Sequence, residues 1–161
     1  IWEHLPDMRL VLAGADPTPR VERLASDRVT VSGYVPDARP LFESARVFLA
    51  PLRFGAGMKG KVVQAISHGL PTVTTSIGAE GIDLRDGKSV FIRESAPDIA
   101  EAVLRLYSNE ALWTEISIEC RRIAQTFSPD AVRAQVAGAL QAALEQNQEV
   151  GIDLGLAPHT A

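Results

Sequence analysis

The sequence predicts an α/β protein built on a doubly wound parallel sheet. Short apolar runs with the character of strands recur at residues 8–14, 28–32, 47–50, 71–75 and 89–92. Segments with apolar residues at helical spacing lie between these runs and after the last one. Strands that alternate with helices pack as a parallel sheet with helices on both faces.

The first half of the chain alternates predicted strands with short helices. Residues 8–14 form a continuous apolar run that ends in glycine, which is typical of a strand buried on both faces. A turn at residues 16–19 and a short helix over 20–25 lead to the alternating strand 28–32. Asp37 is a candidate N-cap for the helix that follows.

Helices dominate the second half. The helix after the third strand is predicted over residues 59–68 and ends at Gly69, which supplies a left-handed cap. A glycine-bearing loop is expected at residues 77–81, after the fourth strand. Further helices are predicted over residues 98–108, 110–125 and 129–146, the last of them capped by Ser128. We therefore expect one domain over residues 1–146 and a tail over 147–161.

Composition excludes several functional classes. The chain has 161 residues, of which 46% are apolar and 22% charged, as in ordinary globular proteins. A net charge of −4 argues against general nucleic-acid binding. A single cysteine, Cys120, excludes an internal disulfide and fits the cytoplasm. No apolar run approaches the roughly 18 residues of a membrane span.

A glycine-rich, cationic loop lies between the third strand and the helix over residues 59–68. It contains three glycines and three cations: Gly55, Gly57, Gly60, Arg53, Lys59 and Lys61. Glycines let the backbone approach a ligand, the opening N–H groups of a helix attract anions, and the cations add countercharge. This combination indicates a phosphate-binding loop.

Three generic interpretations of the loop remain open. Residues 55–60 match the dinucleotide pattern G-x-G-x-x-G, but Glu80 lies in a loop and not at the end of the next strand. Residues 55–61 match a P-loop except for the last position, where Val62 replaces the magnesium-binding Ser or Thr. The third interpretation is solvated surface, although lysines in a first helical turn oppose the helix dipole unless an anion is bound.

A family resemblance provides a fourth interpretation. Residues 47–81 read V-F-L-A-P-L-R-F-G-A-G-M-K-G-K-V-V-Q-A-I-S-H-G-L-P-T-V-T-T-S-I-G-A-E-G. This segment resembles the donor-binding half of retaining glycosyltransferases of the group 1 type (family 4). The resemblance extends upstream to residues 28–45, R-V-T-V-S-G-Y-V-P-D-A-R-P-L-F-E-S-A, and downstream to the strand D-G-K-S-V-F-I and the helix from Pro97.

The resemblance implies a fold, an activity and partners. Members have the two-domain GT-B fold, in which two Rossmann-like halves face a cleft, and this chain would be the C-terminal half. The implied reaction moves a sugar from a nucleoside-diphosphate sugar to an acceptor with retention and without a metal or other cofactor. The acceptor site, and any peripheral contact with a membrane, would belong to a missing N-terminal domain. The chain alone is expected to bind sugar nucleotide weakly and to transfer nothing.

The resemblance also implies site residues, although it identifies no catalytic residue. The donor diphosphate would meet Arg53, Gly55, Gly57, Met58, Lys59 and Lys61. The ribose would meet Gln64, the base pocket would contain Gly33, Tyr34 and Val35, and the sugar-side loop would contain Gly78, Ala79 and Glu80. The histidines and Cys120 are not spaced as a metal site.

Two departures from the family pattern support a second hypothesis. Ala56 and Gln64 occupy the positions of two glutamates that are usual in the family, and neither is acidic. Gln64 keeps a carbonyl acceptor for a ribose hydroxyl but lacks the charge that strengthens such bonds. The alternative function is therefore a catalytically degenerate nucleotide-sugar-binding or scaffold module.

The start of the chain carries a further expectation. Residues 1–6 read as the end of a helix that runs into a strand, so we expect that N-terminal sequence is missing. In the resembled family the missing first strand would lie between residues 8–14 and 47–50. We expect an upstream segment, a partner chain or residues 150–156 to occupy that position, because a vacant slot leaves backbone groups unpaired. Direct pairing of the two neighbouring strands would contradict this expectation.

Overall fold

The computed structural model describes residues 1–150, with side chains described for residues 1–146. Contacts divide the chain into two compact units, Ile1–Ala124 and a second unit that begins at Gln125. The strands are β1 Leu10–Ala13, β2 Val29–Gly33, β3 Phe48–Ala50, β4 Thr72–Thr74 and β5 Val90–Ile92. The helices are α1 Pro19–Glu22, α2 Arg39–Ser44, α3 Gly60–Ser67, α4 Ser76–Ala79, α5 Ala96–Ser108, α6 Glu110–Gln125 and α7 Pro129–Val150.

The strands are parallel, as predicted, but they form two sheets instead of one. β1 pairs with β2, and β3, β4 and β5 pair in that order. Among the described residues β1 and β3 do not pair with each other. Direct pairing of these strands would have contradicted the expected strand position between them, and it is not observed. What occupies that position stays a prediction, and residues 151–156 lie outside the described part of the chain.

The core of the first unit surrounds β4. All three residues of β4 are buried, and α3 covers them with the face that its apolar residues predict, which includes Val62 and Ile66. α5 and α6 contribute further fully buried side chains, namely Ala102, Val103, Leu106, Ile116 and Cys120. This packing holds the ends of β3 and β4 rigidly, and the glycine-rich loop starts from one of those ends.

The prediction that the first strand is buried on both faces is wrong. Burial alternates along β1, where Val11 is 47% exposed and Leu12 is partly buried. The same alternation continues in β2, where Thr30 is exposed beside buried Val29. Nothing in the described part of the chain covers the outer face of this sheet, so an apolar run need not imply burial on both sides.

Residues 77–81, predicted as a loop, contain the end of the short helix α4. Thr75 is its N-cap, and the Thr75 hydroxyl accepts a hydrogen bond from the Gly78 N–H at 3.3 Å. A threonine that satisfies one free N–H stabilises the first turn of a helix. The helix ends at Glu80, and Gly81 then adopts a left-handed φ of 76°.

Helix caps show how closely sequence signals locate helix ends. Ser128 caps α7 as predicted, since its Oγ accepts from the Ala131 N–H at 3.2 Å. Asp37 lies one residue before the N-cap of α2, which is Ala38. The Asp37 carboxylate still accepts from the Arg39 N–H at 3.0 Å and binds the Arg39 guanidinium. This contact lowers the pKa of Asp37 to about 2. α7 continues through Val150, into the segment predicted as tail.

Candidate functional site

The candidate site lies at the carboxyl ends of β3 and β4. Parallel strands end at the same edge of a sheet, so the segments that follow neighbouring strands lie side by side. The segment after β3 is the glycine-rich loop, which leads into α3, and the segment after β4 is α4 with Glu80 and Gly81. The structure therefore brings the predicted diphosphate loop and the predicted sugar-side loop together.

Two threonines of β4 and its end hold the start of the glycine-rich loop. Thr74 Oγ1 donates to the Ala50 carbonyl at 2.9 Å, and Thr75 Oγ1 donates to the Leu52 carbonyl at 2.6 Å. Both hydroxyls are buried or partly buried, where an unmade hydrogen bond is costly. The first residues of the loop are thus fixed to the neighbouring strand.

Backbone conformation explains two glycines of the loop. Gly55 has a φ of 137° and Gly57 a φ of 67°, conformations that residues with a side chain rarely adopt. Gly81, in the neighbouring segment, is required for space as well, because a Cβ there would lie 3.1 Å from the Met58 backbone nitrogen. The two segments therefore pack against each other through backbone atoms.

Gly78 seats α4 directly on β4. A Cβ at this position would lie 1.9 Å from Thr74 Oγ1 and 3.3 Å from the Ala50 carbonyl oxygen. Such an approach is impossible for any residue other than glycine without movement of the helix. Ala79, the next predicted site residue, is partly buried in α4.

The N-terminus of α3 presents free donors. The N–H groups of Val62 and Val63 bond to the Lys59 carbonyl, whereas those of Gly60 and Lys61 donate to no acceptor among the described residues. The N-cap residue, Lys59, makes no side-chain cap hydrogen bond. Free N–H groups and the positive end of the helix dipole favour an anion at this point.

Three predicted binding side chains, two on α3 and one in the loop before it, remain unengaged. Arg53, Lys61 and Gln64 are exposed, and their side chains make no hydrogen bond or ion pair with other described residues. Lys61 and Gln64 are separated by three positions in α3, so they share one face of the helix. Met58 is also exposed, at 52%. The helix end and its side chains can accept an anion with adjoining hydroxyl groups.

Lys59 differs from the other two cations. Its side chain is only 13% exposed, and Nζ donates to the Gly57 carbonyl and to Glu80 Oε2, the latter at 3.2 Å. The contact joins residues that are 21 positions apart and links the glycine-rich loop to the segment after β4. Glu80, which is half-exposed, is therefore an ion-pair partner of Lys59.

The predicted base-pocket residues lie at the end of β2 and directly after it, in the other sheet. Gly33 has a left-handed φ of 65°, Tyr34 is 73% exposed and Val35 is partly buried. Among the described residues no hydrogen bond or ion pair joins them to the glycine-rich loop. Their place at a strand's carboxyl end agrees with the prediction, and their contact with a ligand stays a prediction.

Sequence reasoning missed two residues that support the site. Thr75 caps α4 and holds the loop at Leu52, and Glu94 Oε1 accepts from the Ser76 N–H at 2.8 Å, at the start of α4. A threonine directly before a short helical segment is a recognisable capping signal. The contact of Glu94 joins the segments that follow β4 and β5, and no local sequence pattern predicts it.

Other reactive groups of the described chain lie away from this edge. Burial raises the pKa of the Cys120 thiol to about 12, and Sγ donates to the Ser89 carbonyl at 3.2 Å. The described residues contain no group of three or more histidine, cysteine or acidic side chains that could hold a metal ion. Within the described part of the chain, no helix is both long and apolar enough to cross a membrane.

Solved structures show which fold this chain shares. The HepE protein of Anabaena, solved in complex with UDP, superposes with a TM-score of 0.74 at 18% identity, over 87% of this chain and 43% of HepE. The pneumococcal O-GlcNAc transferase GtfA, solved with UDP and GlcNAc, gives 0.70 at 18% identity, over 89% of this chain and 31% of GtfA. The C-terminal domain of LpcC, a group 1 glycosyl transferase of Francisella tularensis, gives 0.65 at 17% identity, over 78% and 72% of the two chains.

These similarities confirm the predicted fold class, a Rossmann-like α/β domain. The chain spans less than half the length of HepE, since it covers 43% of that protein. No curated protein sequence matches the chain. The sequence profile of the family described as glycosyl transferases group 1 matches residues 1–109, about two thirds of the chain. The protein therefore belongs to the group 1 glycosyl transferases.

Proposed function

We propose that this chain is the donor-binding domain of a glycosyltransferase that uses a nucleoside-diphosphate sugar. One observation carries the proposal: the N-terminus of α3 offers free N–H groups on the same helix as the unengaged side chains of Lys61 and Gln64. A nucleoside diphosphate has the matching chemistry, an anion flanked by ribose hydroxyls. Support comes from HepE, which has the same fold and was solved with UDP and with UDP-glucose.

The exposed groups at the start of α3 and the predicted base-pocket residues have defined roles in this proposal. The diphosphate meets the Gly60 and Lys61 N–H groups and the Lys61 ammonium, while the exposed Arg53 adds countercharge. The Gln64 carbonyl accepts from a ribose hydroxyl one helical turn further on. Gly33, Tyr34 and Val35 approach the base. In the transfer step, the helix end and Lys61 would stabilise the negative charge of the departing diphosphate.

The finer chemistry belongs to the proposal as well. Transfer proceeds with retention of the anomeric configuration and without a bound metal, since the helix end and the lysine supply the positive charge. The acceptor binds a separate domain, which also makes any contact with a membrane. The 161-residue chain alone therefore binds donor and transfers no sugar. A cytoplasmic location is proposed because the single cysteine is a buried free thiol.

Titration calorimetry with UDP, ADP and GDP tests donor binding and identifies the preferred base. Lys61→Ala should weaken binding of the preferred nucleotide about tenfold, because a charge-assisted contact to the diphosphate is lost. Lys88→Ala is the matched control, since Lys88 is an exposed lysine that precedes β5 at the opposite end of the sheet. Equal affinities of Lys61→Ala and the wild type would contradict the proposed role of Lys61.

Metal independence has its own test. Affinity for the preferred nucleotide should be the same in EDTA and in millimolar Mg²⁺ if the protein alone neutralises the diphosphate. A dependence on Mg²⁺ that Lys61→Ala does not alter would contradict this part of the proposal.

A degenerate binding module is the second candidate function. Ala56 and Gln64 favour it, because neither supplies the charged acceptor for a sugar or ribose hydroxyl that a carboxylate would. Both candidates predict nucleotide binding, so binding does not separate them. Transfer of sugar by the protein joined to its acceptor domain would support the enzyme, and binding without turnover would support the module.

A further inference from the structure

Lys59 is unusually buried for a loop lysine. Its side chain is 13% exposed, whereas the neighbouring loop residues and Lys61 are exposed. Lysine is rarely buried unless it is paired, because its ammonium group is strongly hydrated. The ammonium group at this position therefore requires hydrogen-bond acceptors that offset the cost of removing it from water.

The structure provides two such partners. Nζ has three N–H donors, of which one bonds to the Gly57 carbonyl and another to Glu80 Oε2 at 3.2 Å. The bond to Gly57 closes the loop on itself, two residues back along the chain. The bond to Glu80 fastens the loop to the segment after β4. Lys59 thus connects two backbone segments, the glycine-rich loop and the segment after β4, through one side chain.

The stem of Lys59 and the neighbouring glycines complete this contact. A Cβ at Gly55 would lie 3.2 Å from Lys59 Cε, so the stem packs closely against the Gly55 backbone. A Cβ at Gly81 would lie within 3.1 to 3.3 Å of Met58 backbone atoms. The glycine-rich loop is held against the segment after β4 at two adjacent points.

We propose that Lys59 and Glu80 are a positioning pair, and that Glu80 acts on the donor diphosphate through Lys59. Their ion pair holds the loop in the shape that leaves the Gly60 and Lys61 N–H groups open to the ligand. Lys61 supplies the attraction for the diphosphate, and Lys59 supplies the shape. This inference rests on the proposed function, and it separates the two lysines that the sequence treats alike.

Charge distinguishes this role from direct ligation. A carboxylate close to a diphosphate repels it, so removal of the Glu80 charge would tighten binding if Lys59 contacted the ligand independently. If Glu80 instead keeps Lys59 and the loop in place, removal of its charge loosens the loop and weakens binding. The two roles predict opposite signs for Glu80→Gln.

Calorimetry with UDP as probe and the 161-residue chain measures that sign. Glu80→Gln should weaken UDP binding about two- to fivefold, the range expected for a half-exposed ion pair. Lys59→Met should weaken it about tenfold, because both bonds of the ammonium are lost. The double variant should bind no more weakly than Lys59→Met, since the two residues act through one contact. Glu101→Gln, at an exposed position of α5, is the matched control and should bind like the wild type.

The dependence of UDP affinity on ionic strength separates a lysine that attracts the diphosphate from one that positions the loop. Lys61→Ala should flatten the salt dependence of UDP affinity, whereas the double variant Lys59→Met/Glu80→Gln should leave it unchanged, because the double variant removes an ion pair and conserves the local net charge. Unchanged or tighter UDP binding by Glu80→Gln would overturn the inference. A flattened salt dependence for the double variant would overturn it as well, because Lys59 would then itself attract the diphosphate.

Failure of the proposed function can be recognised separately. If the wild type binds neither UDP, ADP nor GDP, the donor-binding proposal fails, and amide hydrogen exchange still tests the pair. Glu80→Gln should then accelerate exchange at the amides of Val62 and Val63, which donate to the Lys59 carbonyl, while leaving β4 protected. Exchange equal to that of the wild type would show that the ion pair does not hold the loop. Should Lys59→Met fail to fold, Glu80→Gln decides alone.

Discussion

At the scale of single residues, environment separates side chains that are chemically alike. Lys59 and Lys61 are two positions apart, yet one is engaged with Glu80 and the Gly57 carbonyl and the other has no partner among the described residues. Gly55 and Gly57 need positive φ angles, while Gly60 begins a helix with an ordinary backbone. Residues that belong to the same sequence motif therefore differ in their contacts and in their structural roles.

Cys120 gives a residue-scale prediction about pH. Burial raises the pKa of its thiol from its ordinary value of 9.0 to about 12, so the folded state disfavours the thiolate. The stability that this provides is complete below about pH 9 and is lost as the pH rises toward 12. We expect the free energy of unfolding to fall over that range, and Cys120→Ala to reduce the fall. Urea titrations at pH 8 and at pH 10 measure it, and identical slopes with pH in both proteins would contradict the assignment.

At the scale of elements, short capped segments set the geometry of the site. α4 has four residues, and it is held by Thr75, by Glu94 and by the absence of a side chain at Gly78. Its position places Glu80 against Lys59. A helix of this length has little stability of its own, so its contacts with β4 and the glycine-rich loop maintain it.

Gly78→Ala tests how α4 is seated. The new methyl group would collide with Thr74 Oγ1, so α4 must shift or the Thr74 bond to Ala50 must break. We expect a loss of about 1–3 kcal/mol in the free energy of unfolding, as for other overpacked sites. Gly14→Ala is the control, because a Cβ there meets nothing within 4 Å. Equal stability of the two variants in urea denaturation would show that α4 is not held by this close contact.

At the scale of the whole molecule, the first unit contains two sheets that differ in burial: a closed half, the sheet β3-β4-β5, and an open half, the sheet β1-β2. β4 lies between two strands and is buried throughout, whereas β1 has one described partner and an exposed face. The glycine-rich loop and α4 follow strands of the closed half. The base-pocket residues lie at the end of β2 and directly after it, in the open half, so the two parts of the proposed donor site depend on different sheets.

Amide hydrogen exchange tests this division. β1 donates to β2 through the N–H groups of Leu10 and neighbouring Gly14, and strand alternation directs the N–H groups of Val11 and Ala13 to the other edge. Those two amides should exchange at least about tenfold faster than the amides of β4. Comparable protection of Val11 and Thr72–Thr74 would show that another segment pairs with the free edge of β1.

Much of the fold followed from local pattern. The apolar runs located the five described strands, and the 3.6-residue periodicity located α3, α5 and α6, because burial of one face leaves its period in the sequence. Local signals failed where the covering element is remote. Alternate exposure in β1 depends on what packs over the sheet. The strands form two sheets because β1 and β3 do not pair with each other, and no local pattern predicts this.

By itself, the sequence determined the fold class and the family and predicted an anion-binding loop, because glycines, cations and strand order are properties of the chain in one dimension. Only the tertiary structure decided that Lys59 is engaged, while the side chains of Arg53 and Lys61 have no partner among the described residues. Lys59 and Glu80 are 21 positions apart and meet because β3 and β4 are adjacent parallel strands whose carboxyl ends share an edge. A contact of that kind arises from sheet pairing and close packing, which leave no periodic signal in the sequence.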